Sequence, residues 1–158
     1  MTKILAIDPE KCTTCRLCEL VCAQKAVGVF RPSRSRVRIA INTEEAFYFP
    51  MVCIQCDDAP CIEACPTNAL VRDAATGAVV LVEARCDECG VCEPACPYGA
   101  IRCLEGKPEK CDLCGGDPEC VRFCTAGALR YEPAEQWPQK PRQAYADRLR
   151  DLVEEARG

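Results

Sequence analysis

Sixteen of the seventeen cysteines of this 158-residue chain fall into four groups of four, and their spacing is the chemistry it offers. The first group is Cys12, Cys15, Cys18 and Cys22, the run C-x2-C-x2-C-x3-C. Cys86, Cys89, Cys92 and Cys96 repeat it without interruption. Cys53, Cys56, Cys61 and Cys65 carry two extra residues before their third cysteine, and Cys111, Cys114, Cys120 and Cys124 carry three at the same point. Three thiolates from one tight loop can converge on a compact inorganic core. The fourth of each run closes poorly on the same core, and in two-cluster ferredoxins that cysteine serves the other cluster. A proline after the last cysteine (Pro66, Pro97) stops the helix and turns the chain outward. Zinc ribbons use separated C-x2-C pairs with longer gaps, which explains neither the triplets nor the x3 step. The pattern points to cubane iron–sulfur clusters.

Composition removes the rivals. A disulfide scaffold needs an oxidising compartment. The N-terminus shows no apolar signal region and no twin-arginine pair, so a cytoplasmic location is expected. An odd cysteine count also leaves one thiol over. There is no histidine, which excludes Cys/His zinc fingers, Rieske centres and every histidine-based acid–base mechanism. No stretch approaches the ~20 apolar residues of a membrane span. A net charge of −4 argues against nucleic acid as a partner. Four all-cysteine clusters would take it to roughly −12, favouring partners with positive docking patches.

The elements that must position these thiols repeat with them. Four and five residues past each last cysteine stand Ala and an aliphatic: Ala26-Val27, Ala69-Leu70, Ala100-Ile101 and Ala128-Leu129. Each repeat reads as a ligand loop, a short helical turn carrying the last cysteine, then a strand. The alternating stretch 37–41 predicts a hairpin with 47–49 across polar residues 42–45, and 78–82 pairs with 70–72 across Thr76-Gly77. Past Pro133, Pro138 and Pro141, residues Tyr145, Leu149, Leu152, Val153 and Ala156 fall on one helical face. With so little apolar core, cluster binding must supply much of the folding free energy.

The chain resembles the four-cluster, bacterial-ferredoxin-like subunits that stand beside molybdenum and tungsten enzymes. The resemblance covers residues 1 to about 132 and all sixteen ligand positions. The stretch Lys110-Cys111-Asp112-Leu113-Cys114-Gly115-Gly116-Asp117-Pro118 and the run Ser33-Arg34-Ser35-Arg36-Val37 look most like the small subunit of tungsten aldehyde oxidoreductase. The resemblance implies an α+β fold of two nested bacterial-ferredoxin-like (βαββαβ) units with small hairpins and a C-terminal helix. The outer unit takes residues 1–46 and 106–132, the inner unit 47–105, and 133–158 form a Pro-rich linker and amphipathic tail. It also implies the pairing. Cys12, Cys15, Cys18 and Cys124 hold one [4Fe–4S] cluster; Cys111, Cys114, Cys120 and Cys22 hold its neighbour. Cys53, Cys56, Cys61 and Cys96 hold a third; Cys86, Cys89, Cys92 and Cys65 hold the fourth. Ala23 and Thr125, where the inner motifs have proline, put no ligand in doubt.

The expected function is non-catalytic electron relay through four clusters, from a large tungsten or molybdenum catalytic subunit to a flavin, NAD or other acceptor subunit. A hydrogenase, formate dehydrogenase or carbon monoxide dehydrogenase is the alternative partner. A stand-alone cluster-dependent redox enzyme is the rival of another class, but substrate-binding cubanes need a missing ligand and every motif here is complete. End-to-end self-association through the tail would extend the relay. The remaining candidates read more plainly. Cys103 is a small buried hydrophobe. Lys107 and Lys110 flank the fourth motif, where they are either ordinary solvated lysines or cations that raise a cluster's potential. Arg31, Arg34, Arg36 and Arg38 form the exposed face of a strand or a docking patch. Gly115-Gly116 supply positive φ.

Overall fold

A computed structural model describes residues 3–44 and 47–134. The described residues make a small α+β arrangement of four separate two-stranded antiparallel pairs and four α-helices, three of them a single turn. The helical tail expected over 142–156 lies outside the described residues.

Strand β1 (Lys3–Ile7) pairs with β8 (Leu129–Pro133), from Lys3 opposite Pro133 to Ile7 opposite Leu129. This joins the segment before the first motif to the segment after the fourth. The expected hairpin forms from β2 (Arg38–Asn42) and β3 (Phe47–Met51). The second expected pair is β4 (Leu70–Arg72) with β5 (Val79–Leu81). Its turn is held by Asp73, whose carboxylate accepts the Thr76 amide at 2.9 Å and the Thr76 hydroxyl at 2.5 Å. A further pair, β6 (Arg102–Leu104) with β7 (Lys107–Glu109), leads into the fourth motif.

Helix α1 (Leu17–Val27) is where the repeat breaks. Ala23 stands where the inner motifs have proline, so nothing removes an amide or clashes with the preceding turn, and the helix runs on for eleven residues. Glu19 in its first turn and Lys25 in its last suit the helix dipole. Gly28, at φ 74°, ends it and returns its amide to the Gln24 carbonyl at 2.8 Å. Ala26-Val27 therefore lie on a helix and not at the start of a strand. The other three repeats have single turns α2 (Pro60–Glu63), α3 (Cys92–Ala95) and α4 (Glu119–Arg122), each followed by a strand as expected. The turn carries the third cysteine of its motif (Cys61, Cys92, Cys120) and not the last, which lies just past its end. Thr125 does not prolong α4, since Gly127 at φ 67° turns the chain directly into β8.

Helix α1 packs on α4, and α2 on α3. The buried core divides accordingly. One part gathers Cys18, Cys22, Val37, Val52, Cys53, Ala78, Cys111, Leu113, Cys120 and Leu129. The other gathers Ala59, Cys61, Leu70, Val79, Cys92 and Ile101. Cysteine takes positions that aliphatics hold in an ordinary core.

Candidate metal centre

The four ligand loops share one backbone device. Thr14, Gln55, Glu88 and Leu113 each stand two residues past the first cysteine of their motif, and their φ angles are 54°, 55°, 61° and 56°. A left-handed step costs an L-residue roughly 1–2 kcal/mol. Four repetitions at one position mean that the turn is needed to bring the first and second sulfurs together. A second left-handed residue follows the second cysteine at Arg16, Gly90 and Gly115, where glycine removes the cost in two of three cases. A third recurs three residues past the last cysteine, at Asn68, Gly99 and Gly127.

These turns aim backbone amides at sulfur. The Ala69 amide donates to Cys65 Sγ at 3.2 Å and the Ala100 amide to Cys96 Sγ at 3.3 Å. The Leu129 amide donates to Cys124 Sγ at 3.4 Å. In these three motifs the repeated Ala–aliphatic step past the last cysteine is thus the donor to that cysteine. In the first motif the α1 amides are spent within the helix, and Cys22 Sγ takes its bond from Arg36, at 3.3 Å. The Leu113 amide donates to Cys111 Sγ at 3.4 Å.

Three of the four expected thiol sets surround common cavities. Cys22, Cys111, Cys114 and Cys120 line one of about 170 Å³. Cys12, Cys15, Cys18 and Cys124 line a second, beside Pro50 and Phe123. Cys53, Cys56, Cys61 and Cys96 line a third, beside Ile54 and Tyr98. Each takes three cysteines from one motif and one from another. Of the fourth set, Cys86 lines an open cleft with Glu83, Glu88 and Lys107, while the Cys92 thiol feels Cys103 and Cys65. Cys103 is half-buried on β6, its Sγ 4.0 Å from the Gly90 carbonyl.

Burial pushes the Cys18, Cys92 and Cys111 thiols up to about 12, and neighbouring acidic groups and thiols add to it. Cys120 is pushed up as well, by burial first and then by Cys111, Cys22 and Cys114. Packing thiols so closely disfavours their thiolates unless a cation is shared among them. The residues fit a [4Fe–4S] core: all donors are sulfur, they ring a space, and amides point at the sulfurs. Such a group supplies reversible one-electron storage when bound.

The basic run differs from its expectation. Arg34 pairs with Glu109 at 2.7 Å and Arg36 with Asp112 at 2.8 Å, so half of it ties the first motif to the fourth within the chain. Lys107 is exposed near Glu83, whereas Lys110 is buried. Gly115 and Gly116 have φ 69° and 101°.

Thiols gathered around shared cavities and hydrogen-bonded by amides define an iron–sulfur, ferredoxin-like electron-transfer protein. Residues 44–133 match the 4Fe-4S dicluster domain family, and 9–25 match a 4Fe-4S binding domain. The chain belongs to the 4Fe-4S dicluster family and is of the kind that serves oxidoreductases as an electron-transfer subunit. It is similar to the polyferredoxin-like subunit of an aliphatic sulfonate oxidoreductase of Pyrococcus furiosus, 46% identical over 76% of this chain and 70% of that protein. Formate hydrogenlyase subunit 2 of Escherichia coli is 31% identical over 82% of this chain and 81% of its own. Among solved structures, a chain of the BamBC active site complex of benzoyl coenzyme A reductase is 27% identical, covers 94% of this chain and 90% of that one, and has a TM-score of 0.49. No described helix is long and apolar enough to cross a membrane.

Proposed function

We propose that the chain relays single electrons through four [4Fe–4S] clusters, held in two nested ferredoxin-like units, between a large catalytic oxidoreductase subunit and a second redox carrier. The observation that carries this reading is the crossed make-up of the three cavities, each drawing its fourth cysteine from another motif. The pairing of β1 with β8 and the packing of α1 on α4 support an outer unit made from the two chain ends. The packing of α2 on α3 supports an inner unit made from motifs two and three.

Neighbour relations between the sets support a series. Cys18 of one set acts on Cys120 of the next. Cys53 of the inner unit acts on Cys111 of the outer. Within the fourth set Cys65 acts on Cys92 across two motifs, which supports their sharing one cluster. The exposed residues Phe123, Ile54 and Tyr98 edge two of the cavities and shorten the path from sulfur to a docked partner. All sixteen cysteines of the four sets are present, which favours relay over substrate binding at an open iron.

The proposed partner is a tungsten or molybdenum oxidoreductase, of the aldehyde-oxidoreductase kind or one acting on sulfonates as the Pyrococcus relative's name states. A hydrogenase-type partner is the second reading, favoured by the formate hydrogenlyase relative. Anaerobic purification of the native complex, with iron, tungsten, molybdenum and nickel counted against identified subunits, tests both. About sixteen irons per chain, after subtraction of partner clusters, are expected, four for each cubane. An iron count of half that value would reduce the relay to two clusters. Nickel without tungsten or molybdenum would move the partner to a hydrogenase.

A further inference from the structure

Lys110 stands directly before the first cysteine of the fourth motif, yet it is only 4% exposed. Its Nζ donates to the Val79 carbonyl at 2.5 Å and to the Cys111 carbonyl at 2.9 Å. Gln55, from the loop of the second motif, binds the same two residues. Its Nε2 donates to the Cys111 carbonyl at 3.0 Å, and its Oε1 accepts the Val79 amide at 2.8 Å. Four hydrogen bonds thus join the second motif, β5 and the entrance of the fourth motif.

Each side of this junction touches a different thiol-lined cavity. Gln55 and Val79 line the one ringed by Cys53, Cys56, Cys61 and Cys96. Cys111 lines the one it shares with Cys22, Cys114 and Cys120. Among the described residues no carboxylate pairs with the ammonium; both its partners are carbonyls. A buried charge left without a counter-ion is strongly unfavourable, and carbonyl dipoles offset it only in part. The anions in reach are the two thiolate sets. Burial pushes the Cys61 and Cys111 thiols up, and the Lys110 ammonium opposes it at both, one in each cavity.

We infer that Lys110 is a positioning residue whose ammonium is shared by two neighbouring clusters, one in each unit, and raises the reduction potential of both. The inference rests on the four-cluster reading. Each added electron places more negative charge beside a fixed cation in a low-dielectric setting, where the attraction is weakly screened. The residue thereby marks the place where electrons cross between the inner and outer units and keeps that crossing from becoming an energetic step.

The test is a redox titration of the full-length, cluster-loaded chain under anaerobic conditions, followed by electron paramagnetic resonance. The wild-type iron count comes first. A value near half of about sixteen per chain sinks the four-cluster reading by itself, whatever Lys110 does. Lys110→Met keeps the length and removes the charge. Two of the four clusters are expected to become at least tenfold harder to reduce, a shift of about 59 mV for one electron, with the other two unmoved. Lys110→Arg should hold both near wild type. Gln55→Glu puts an anion beside the ammonium with little change of shape, and should move the same two clusters in the same direction. No shift in either variant with iron retained, or an equal shift in all four clusters, overturns the inference. If Lys110→Met loses iron, Gln55→Glu decides alone by the same criterion. Iron loss in both, with Lys110→Arg failing too, assigns Lys110 to structure and overturns it as well.

Discussion

The Arg36 guanidinium meets the Asp112 carboxylate at 2.8 Å, 76 residues along the chain, and both residues line one thiol-lined cavity. Arg36 also gives its backbone amide to Cys22 Sγ, and Asp112 Oδ1 accepts the Cys114 amide at 2.9 Å. One cysteine from the first motif and one from the fourth are thereby held in a single chain of contacts. This is how two distant segments agree on one site.

Asp112→Ala should therefore cost more than Arg36→Gln. The aspartate removes both a cap on the motif loop and an ion pair, about 1–2 kcal/mol together. The arginine change leaves the amide-to-Cys22 bond intact and removes only a partly exposed pair, below about 1 kcal/mol. Cluster bleaching in denaturant, read from visible absorbance, checks the order. Equal rates would show that the Cys114 cap contributes nothing.

The pH dependence of that difference follows from Asp112. Burial pushes its carboxyl up, but the Cys114 amide and the Arg36 guanidinium outweigh it and hold the group below its ordinary value. A depressed folded value contributes stability above the unfolded value of about 3.9 and loses it as pH falls through the folded one. Between pH 5 and 8 the gap between Asp112→Ala and wild type should stay constant. A gap that closes on going from pH 8 to 5 would place the carboxyl in a different environment.

The proposed crossed ligation makes a pairwise prediction. Cys12→Ser and Cys124→Ser should abolish the same paramagnetic signal, and Cys120→Ser a different one. Each should lower the iron count by about four, or convert one cubane to a three-iron form. Cys103→Ala should leave the iron count unchanged. Matching losses for Cys120→Ser and Cys124→Ser would mean that each motif closes on its own cluster.

Ala23 is fully buried in the interior of α1, so Ala23→Pro should cost about 3 kcal/mol by removing a helix hydrogen bond and clashing with the preceding turn. The inner motifs carry proline at the same place because their last cysteine ends the helix. A thermal midpoint within a degree or two of wild type would show that α1 ends earlier in solution.

Thr14 is β-branched and held at φ 54°, where asparagine is better tolerated. Thr14→Asn is expected to raise stability by about 1 kcal/mol with iron content unchanged. Cluster bleaching in denaturant, slower in the variant, checks it. Faster bleaching would mean that the threonine side chain itself supports the loop.

Much of the site was legible because thiolate spacing and loop closure are local. Triplets at three-residue intervals reach one core within a single turn of chain, and the Ala–aliphatic step was visible, although only the folded loop shows its amide aimed at sulfur. The two hairpins were legible from alternation and turn residues. The length of α1 was not legible, since the repeat predicts a single turn and only the fold shows how far the helix runs without a proline at position 23.

By itself the sequence determined the chemistry: sixteen cysteines in four runs, no histidine, and loops whose length suits a sulfur-ligated cluster. Only the tertiary structure decided which distant groups share a space. Arg34 and Arg36 turn inward to Glu109 and Asp112 instead of facing solvent, and Lys110 is buried while Lys107, three residues before it, is exposed. Nothing local distinguishes those two lysines. What separates them is the long-range packing of β5 and the Gln55 loop over one and not the other, and such packing is a property of the folded surface, not of residue type.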